Sequence, residues 1–492
     1  AAGAVWSEAA AFITGDVWIE KNSDASEIGP TPGTFTVHRA SGATNAALTV
    51  SYTVGGTATP GADYADLSGT LVIPAGAAAA SLVIATFYDN LVEGAETVTV
   101  TLASGPYPIG APDSAMLEIE DIGLVTRVWC GDGGDALAGT AANWVGGVAP
   151  AAGDAVLLDG RTASNMTWDL DLPLHSWLQE GYTGTVTVAT RYGAAGFTNL
   201  QIWGGCSLRS GVWTHTLNAK TEVYRLCVTV GGNLYVSNAV IDADGCGYGT
   251  TSGPGSGFLN GAVHGGGATQ ANTDTFNRKT YGSIREPVNL GSGGYQGRGG
   301  GAIRLTVAGL TTLDAGGVIR AHGTRAQNGS GAGGSVWLTT GRLQGVGAVS
   351  ANGGNTIGLG DGSGGRVAIA LTDPGADFSL WHGTNAAFGG CTIERAAAGT
   401  VYRRTADGQD SLIIDNNNSA YNYRISTLMP PGVDLNSFDD VIIRRGGALG
   451  VRADTALDLR TFAPQWDGPA RSLLQIDGDD GVIYPDVWVI DG

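Results

Sequence analysis

The chain's chemistry-bearing side chains are densest around a glycine-poor insertion at 270–286. The insertion and its flanks hold His264, Asp274, Arg278, Lys279, Tyr281, Arg285, Glu286 and Arg298. Basic and phenolic groups beside a divalent cation suit β-elimination on a polysaccharide, and paired acids suit glycoside hydrolysis. The same residues also suit a simpler task, gripping an anionic glycan without turnover. Arg278, Lys279, Tyr281 and Arg298 are the candidate glycan contacts. A plain structural loop is the competing reading, since Arg285 and Glu286 look self-compensating. Asp242 and Asp244 fall on one face of a strand-like phrase, where turn structure explains them better than acid catalysis does. Asp477-Gly-Asp-Asp-Gly481 is an acidic turn without the glutamate that closes an EF-hand loop. No Ser/His/Asp motif, P-loop, dinucleotide fingerprint or His-rich metal motif occurs, so no catalytic residue is assigned.

Composition bounds the setting of these residues. Charged residues are only 14% of the 492, yet the net charge is −19. Such a chain repels nucleic acid and anionic membranes, and it favours divalent cations. No run of 18 apolar residues occurs, which excludes a membrane-spanning helix. The chain starts Ala-Ala-Gly-Ala-Val without Met, as a mature N-terminus does after signal-peptide removal. Five cysteines (Cys130, Cys206, Cys227, Cys246, Cys391) lack C-x-x-C spacing. They leave room for one or two disulfides in an exported protein, and they argue against zinc.

Glycine supplies 81 residues, many at matching points of a recurring phrase. Gly-Gly-Ala-Ile-Arg-Leu (300–305), Gly-Gly-Ser-Val-Trp-Leu (333–338) and Gly-Gly-Arg-Val-Ala-Ile (364–369) align Ile303, Val336 and Val367, which lie 33 and 31 residues apart. A trailing phrase aligns Ile319 with Val349, 30 residues on, and Asn238–Gly245 resembles it. Repeats of this length mean stacked supersecondary units. No stretch carries a sustained helical period, and short apolar strands alternate with Gly/Asn/Asp turns. A right-handed parallel β-helix over 125–400 is the expected architecture, with glycine serving the left-handed corners.

Ahead of the repeats, period-2 strands follow one another at 33–39, 47–54, 69–76, 80–87, 96–102 and 115–121, split by Gly/Pro turns. That rhythm predicts a β-sandwich over 16–122. Ser26-Glu27, Gly33-Thr-Phe-Thr-Val-His-Arg39, Gly56-Thr-Ala-Thr-Pro-Gly-Ala-Asp-Tyr64, Ile73-Pro-Ala-Gly76 and Asp89-x-x-x-Glu93-Gly-x-Glu96-Thr97 resemble the Calx-beta domain in wording and order. The resemblance implies an immunoglobulin-like sandwich, which in many members binds Ca²⁺ at one end. It maps Asp63, Asp89, Glu93, Glu96 and Asp121 onto the family's acidic positions, with Glu27 a sixth. The chain departs from the regulatory members, which carry runs of Asp where this one has Asp89-Asn90 and a single Asp121. Fewer carboxylates imply weaker binding, of the kind extracellular modules use.

Past the sandwich, Trp129, Asn143-Trp144, Pro150 and Gly153-Asp-Ala-Val look like the opening turn of secreted bacterial β-solenoids, where Trp closes an open end. The glycine-rich passage at 240–370 resembles segments of large exported bacterial surface proteins, a family without defined enzymatic activity. Residues 401–492 read as last rungs, a cap or a small β-module. The apolar ends, 4–13 within an N-terminal extension 1–15 and Val487-Trp-Val-Ile490, suit strand addition between subunits. The sequence therefore describes a secreted or cell-surface structural protein, self-assembling or adhesive, with a Ca²⁺-binding module. Its expected partners are copies of itself, other surface proteins or anionic glycans. A polysaccharide-active enzyme or a non-catalytic glycan-binding adhesin is the alternative.

Overall fold

The computed structural model describes residues 16–477 except 28–29, 41–44, 88–93, 122–124, 194–195, 257–260, 270–275, 278, 393–394, 420–424, 431 and 453–472. The chain divides into two compact units between Val125 and Thr126. Both are all-β. Helix among the described residues is limited to the 3-10 turns Ala141–Asn143 and Leu435–Ser437. No described helix is long and apolar enough to cross a membrane.

The first unit holds β1 (Val17–Ser23), β2 (Ala25–Ser26), β3 (Gly33–Arg39), β4 (Leu48–Gly56), β5 (Thr70–Ile73), β6 (Ala79–Ile84), β7 (Glu96–Leu102) and β8 (Ser114–Glu120). One sheet runs β1-β3-β6 and the other β2-β8-β7-β4-β5. Alternation decides what is buried, because successive side chains leave a strand on opposite faces. It turns Phe35 and Val37 of β3 and Val98, Val100 and Leu102 of β7 into one core with Ile19, Val50, Ile84 and Leu117. Arg39 shares the inward register and is buried. Its guanidinium donates to the carbonyls of Ala46, Pro74 and Ala77, which satisfies it at the core's edge.

In the second unit, a long sheet runs from Thr126–Val128 through Ala155–Leu158, Trp177–Gln179, Cys206–Leu208, Leu234–Val236, Ala302–Leu313, Ser335–Gly345, Arg366–Leu371 and Thr400–Arg404 to Asp410–Asp415 and Asp440–Arg444. A second runs Met166–Trp168, Thr185–Val188, Val212–His215, Val240–Asp242, Val318–Arg320, Ala348–Ser350, Thr384–Ala386. Neighbours along both paths are parallel, apart from the antiparallel step between Thr400–Arg404 and Asp410–Asp415. The register coincides with the repeat. Ile303 pairs with Val336, Val336 with Val367 and Val367 with Val401. Ile241 pairs with Ile319 and Ile319 with Val349. The spacing of about thirty residues is the length of chain from one strand to its neighbour, and the aligned aliphatic residues stack inward as ladders in one core.

Glycines at bends such as Gly211 (φ 71°), Gly245 (φ 66°), Gly316 (φ 72°) and Gly360 (φ 81°) take the expected left-handed conformation, but the paired glycines of the leading repeat phrase do a different job. Gly300, Gly301, Gly333, Gly334, Gly364 and Gly365 are not among the residues with positive φ. They permit close approach of backbones instead. A Cβ on Gly334 would stand 2.6 Å from the carbonyl carbon of Gly300 and nearer still to the oxygen of Gly301. A Cβ on Gly365 would meet Gly333 and Gly334 in the same way. Side-chain volume, rather than handedness, is what those positions exclude.

The tryptophans near the start of this unit form a buried chain. Trp129 meets Trp144 edge-on at 5.3 Å, Trp144 meets Trp168 at 6.5 Å, Trp168 meets Trp177 at 5.3 Å and Trp177 meets Trp213 at 5.1 Å. Edge-to-face pairs contribute about 0.5–1.5 kcal/mol each beyond burial. The disulfides for which the sequence leaves room are not formed. All five cysteines are free, with Cys206, Cys227 and Cys246 buried.

Candidate functional sites

The described carboxylates singled out in the sandwich, Glu27, Asp63, Glu96 and Asp121, lie toward one of its ends. β2 lies parallel to the end of β8, so Ser26 faces Glu120, and the Glu27 amide donates to the Glu120 carbonyl at 3.1 Å. The Thr86 hydroxyl donates to the Ser26 carbonyl at 2.9 Å. Next to it, the Phe87 amide donates to the Asp63 carbonyl at 2.8 Å. Asp63 turns its carboxylate back to accept the Thr59 amide at 2.5 Å. Across the sheet, Glu96 opens β7 opposite Ile119, and Asp121, just past β8, accepts the Gly94 amide at 2.5 Å. Glu27, Asp63, Glu96 and Asp121 therefore share one end, with Glu27 and Asp63 buried. Asp89 and Glu93 lie outside the described residues.

Beside this end lies a groove of about 740 Å³ lined by Asp24, Ser26, Thr31, Ala95, Glu118 and Glu120. Sequence reasoning missed its three acids because outward acids on a strand read as ordinary solvation. The Glu118 amide and the Lys21 ammonium hold the Asp24 carboxyl below its usual range. The donors at this end are carboxylate and carbonyl oxygens, the hard ligands that Ca²⁺ takes in sets of about six to eight. Among the described residues, no three of His, Cys, Asp and Glu are grouped as a metal holder.

The basic island around 264–298 does not converge on an open face. The Tyr281 hydroxyl donates to the Leu290 carbonyl at 2.6 Å and bonds Ser292 Oγ at 2.7 Å, while its ring packs on His264 at 4.5 Å. Burial pushes its phenol far up. The Arg298 guanidinium donates to the carbonyls of Gly245, Gly247 and Asn218. Lys279 is exposed, whereas Asp274 and Arg278 lie outside the described residues. Arg285 ignores its neighbour Glu286. It pairs with Asp410 at 2.9 Å and stacks over Phe438 at 4.3 Å, joining the insertion to the last strands. The acidic turn after Asp477 and both apolar chain ends also lie outside the described residues.

Asp242 and Asp244 turn out to be structural ions. Arg320, on the neighbouring parallel strand, reaches Asp242 at 2.6 Å and Asp244 at 3.0 Å. Behind them stands a constellation that no motif announces. His322 Nδ1 lies 3.6 Å from Asp244 Oδ2, and its Nε2 lies 2.7 Å from Ser350 Oγ. The order of groups is that of a hydrolytic triad. The geometry is not. Ser350 is buried, the Asp244–His322 spacing exceeds a hydrogen bond, and Asp244 Oδ1 instead accepts the His322 backbone amide at 2.6 Å. The three residues tie together segments at successive paired strands.

A family model of the Calx-beta domain matches residues 27–123, about a fifth of the chain. Similar solved structures include "CBD12 from CALX1.2", at 20% identity and a TM-score of 0.20, over 25% of this chain and 50% of that one. A second is "calcium binding domain CBD12 of CALX1.1", at 21% identity and a TM-score of 0.21, over 25% of this chain and 49% of that one. The "Apo-form Calx CBD1 domain" matches at 21% identity and a TM-score of 0.19, over 22% of this chain and 98% of that one. This chain thus spans about half the length of the first two. No curated protein matches it.

Proposed function

We propose that this chain, whose residues 27–123 are a Calx-beta domain, is an extracellular or cell-surface structural protein that assembles or adheres. In this reading the Calx-beta unit is a Ca²⁺-binding module, and the unit from Thr126 onward is a right-handed parallel β-helix that acts as a stiff spacer. One observation carries the mechanical part: the repeat phrases pair in parallel, residue on residue, through four successive strands from Ile303 to Val401. A stack in which every coil buries an aliphatic ladder against the next resists bending, because bending opens packed core and ladder hydrogen bonds together.

For the module, Ca²⁺ supplies a hard cation that binds several carboxylates at once. Glu27, Asp63, Glu96 and Asp121 would hold it, with Asp89 and Glu93 from the adjoining loop. Asp121 already fixes the loop at Gly94, so a cation there would tie the end of β8 to the segment before β7. Copies of the chain or other surface proteins are the partners this role needs. The enzymatic alternative has less support, since Tyr281 and Arg298 are engaged by backbone carbonyls and Ser350 is buried. Electron microscopy of the purified chain with and without EGTA tests the proposal. Rods or fibres are expected, with their joints changed by chelation. Round particles of even width, indifferent to both treatments, would overturn it.

A further inference from the structure

The geometry points to an oxyanion-binding cavity at the end of the stack, formed by Asn385, Arg403, Arg444 and Arg445. The argument begins with the ladders. In the second sheet the inward position passes from Ile241 to Ile319 to Val349 and then to Asn385. In the long sheet it passes from Leu305 to Leu338 to Ile369 and then to Arg403. Both ladders change from aliphatic to polar at the same coil. Between the changed positions lies a cavity of about 260 Å³, lined by Thr384, Asn385, Arg403, Ile413, Arg444 and Arg445.

The polar groups in it await a partner. Asn385 is 8% exposed, and neither its amide nitrogen nor its oxygen has a hydrogen-bond partner among the described residues. The buried Nε of Arg403 lacks one as well. The Arg403 guanidinium stacks on Phe378 at 5.1 Å and makes no ion pair with a described residue. Arg444 and Arg445 both bind Asp415, at 2.9 Å in the case of Arg444. Three guanidinium groups thus face one carboxylate, an excess of two positive charges in a chain of net charge −19.

A guanidinium whose buried Nε has no acceptor is costly, and a bound oxyanion removes that cost by accepting charge-assisted hydrogen bonds. Guanidinium forks match carboxylate, sulfate and phosphate oxygens alike. The Asn385 amide adds a neutral donor. The cavity holds one such group with a few waters, each taking about 30 Å³. The ligand class is therefore a single compact oxyanion, free or carried at the end of an acidic sugar. This inference does not rest on the mechanical role proposed above.

The test is calorimetric titration of the whole chain, at fixed ionic strength in chloride, with sodium sulfate, sodium phosphate and sodium glucuronate in turn. Arg403→Gln and Asn385→Val are run in parallel. Asn385→Val continues the aliphatic ladder above Val349, so it folds even where Arg403→Gln does not. Saturable binding of at least one anion by wild type is expected, weakened tenfold or more by either variant. Sulfate or phosphate binding alone identifies an inorganic ligand. Glucuronate binding alone, or tighter, identifies an acidic glycan end. No saturable binding of any of the three, or equal binding by wild type and Asn385→Val, overturns the inference.

Discussion

Gly334→Ala puts the role of the repeat glycines to a direct test. The new Cβ would lie 2.6 Å from the Gly300 carbonyl carbon, with the Gly301 oxygen closer. Non-bonded heavy atoms settle at roughly 3.5–4.0 Å, so the paired segments must part by about 1 Å. Backbone stands on both sides, and no flexible side chain can yield. Parting stretches the bond from the Ser335 amide to the Gly301 carbonyl, now 3.0 Å, and that from the Gly334 amide to the Ala321 carbonyl, now 2.7 Å. Two weakened hydrogen bonds remove about 1 kcal/mol each, and overpacking adds about 1–3. The total is about 3–5 kcal/mol of lost stability. Gly205→Ala is the matched control, because its Cβ would find nothing nearer than the Asn233 oxygen at 3.7 Å. Thermal unfolding followed by circular dichroism and calorimetry reads both variants. Gly334→Ala should lower the midpoint of the second unit by about 5–15 °C, against a few degrees or less for the control. If the two variants melt together within about 1 °C, close backbone approach is not why glycine recurs.

Acid should weaken the second unit through its buried histidines. Burial lowers the His215 imidazole from 6.5 to about 4, and its Nε2 accepts the Ala302 amide only while neutral. The unfolded chain takes up a proton near pH 6.5 that the folded chain refuses until about 4. The stability is therefore complete above pH 6.5 and falls as pH drops toward 4, by about 3 kcal/mol for this group. Urea unfolding between pH 7.5 and 4.5 should show that slope, and His215→Gln should flatten it. A thiol reagent should modify Cys391 readily in the folded chain and reach Cys206, Cys227 and Cys246 only on unfolding, since burial both hides them and raises their thiols. Equal labelling rates for all five would contradict the packing. Ca²⁺ at about a hundred times its dissociation constant should stabilise the first unit by about 2.7 kcal/mol, and Asp63→Asn with Asp121→Asn should remove the gain. An unchanged melting curve in wild type would show that the acidic end binds no calcium.

Much of the architecture is readable from the chain because the forces that set it are local or periodic. Strand alternation places β3 and β7 because the pleat has period two, whatever the strand packs against. The spacing of Ile303, Val336 and Val367 gives the strand pairing, since identical phrases fold identically and stack on themselves. What side chains do between sequence-distant segments is not readable that way. Arg285 chooses Asp410, 125 residues away, over adjacent Glu286 because burial rewards a partner that also brings Phe438 beneath the guanidinium. Asp244, His322 and Ser350 meet only because parallel pairing of neighbouring strands brings residues 78 and 28 positions apart side by side. The sequence alone determined the strands of the first unit and the period of the second. Tertiary structure alone decided that the paired glycines of the leading repeat phrase serve close packing and that Asn385 and Arg403 end two aliphatic ladders facing one cavity. Burial and charge compensation depend on what surrounds a side chain in space, and a linear pattern does not contain that.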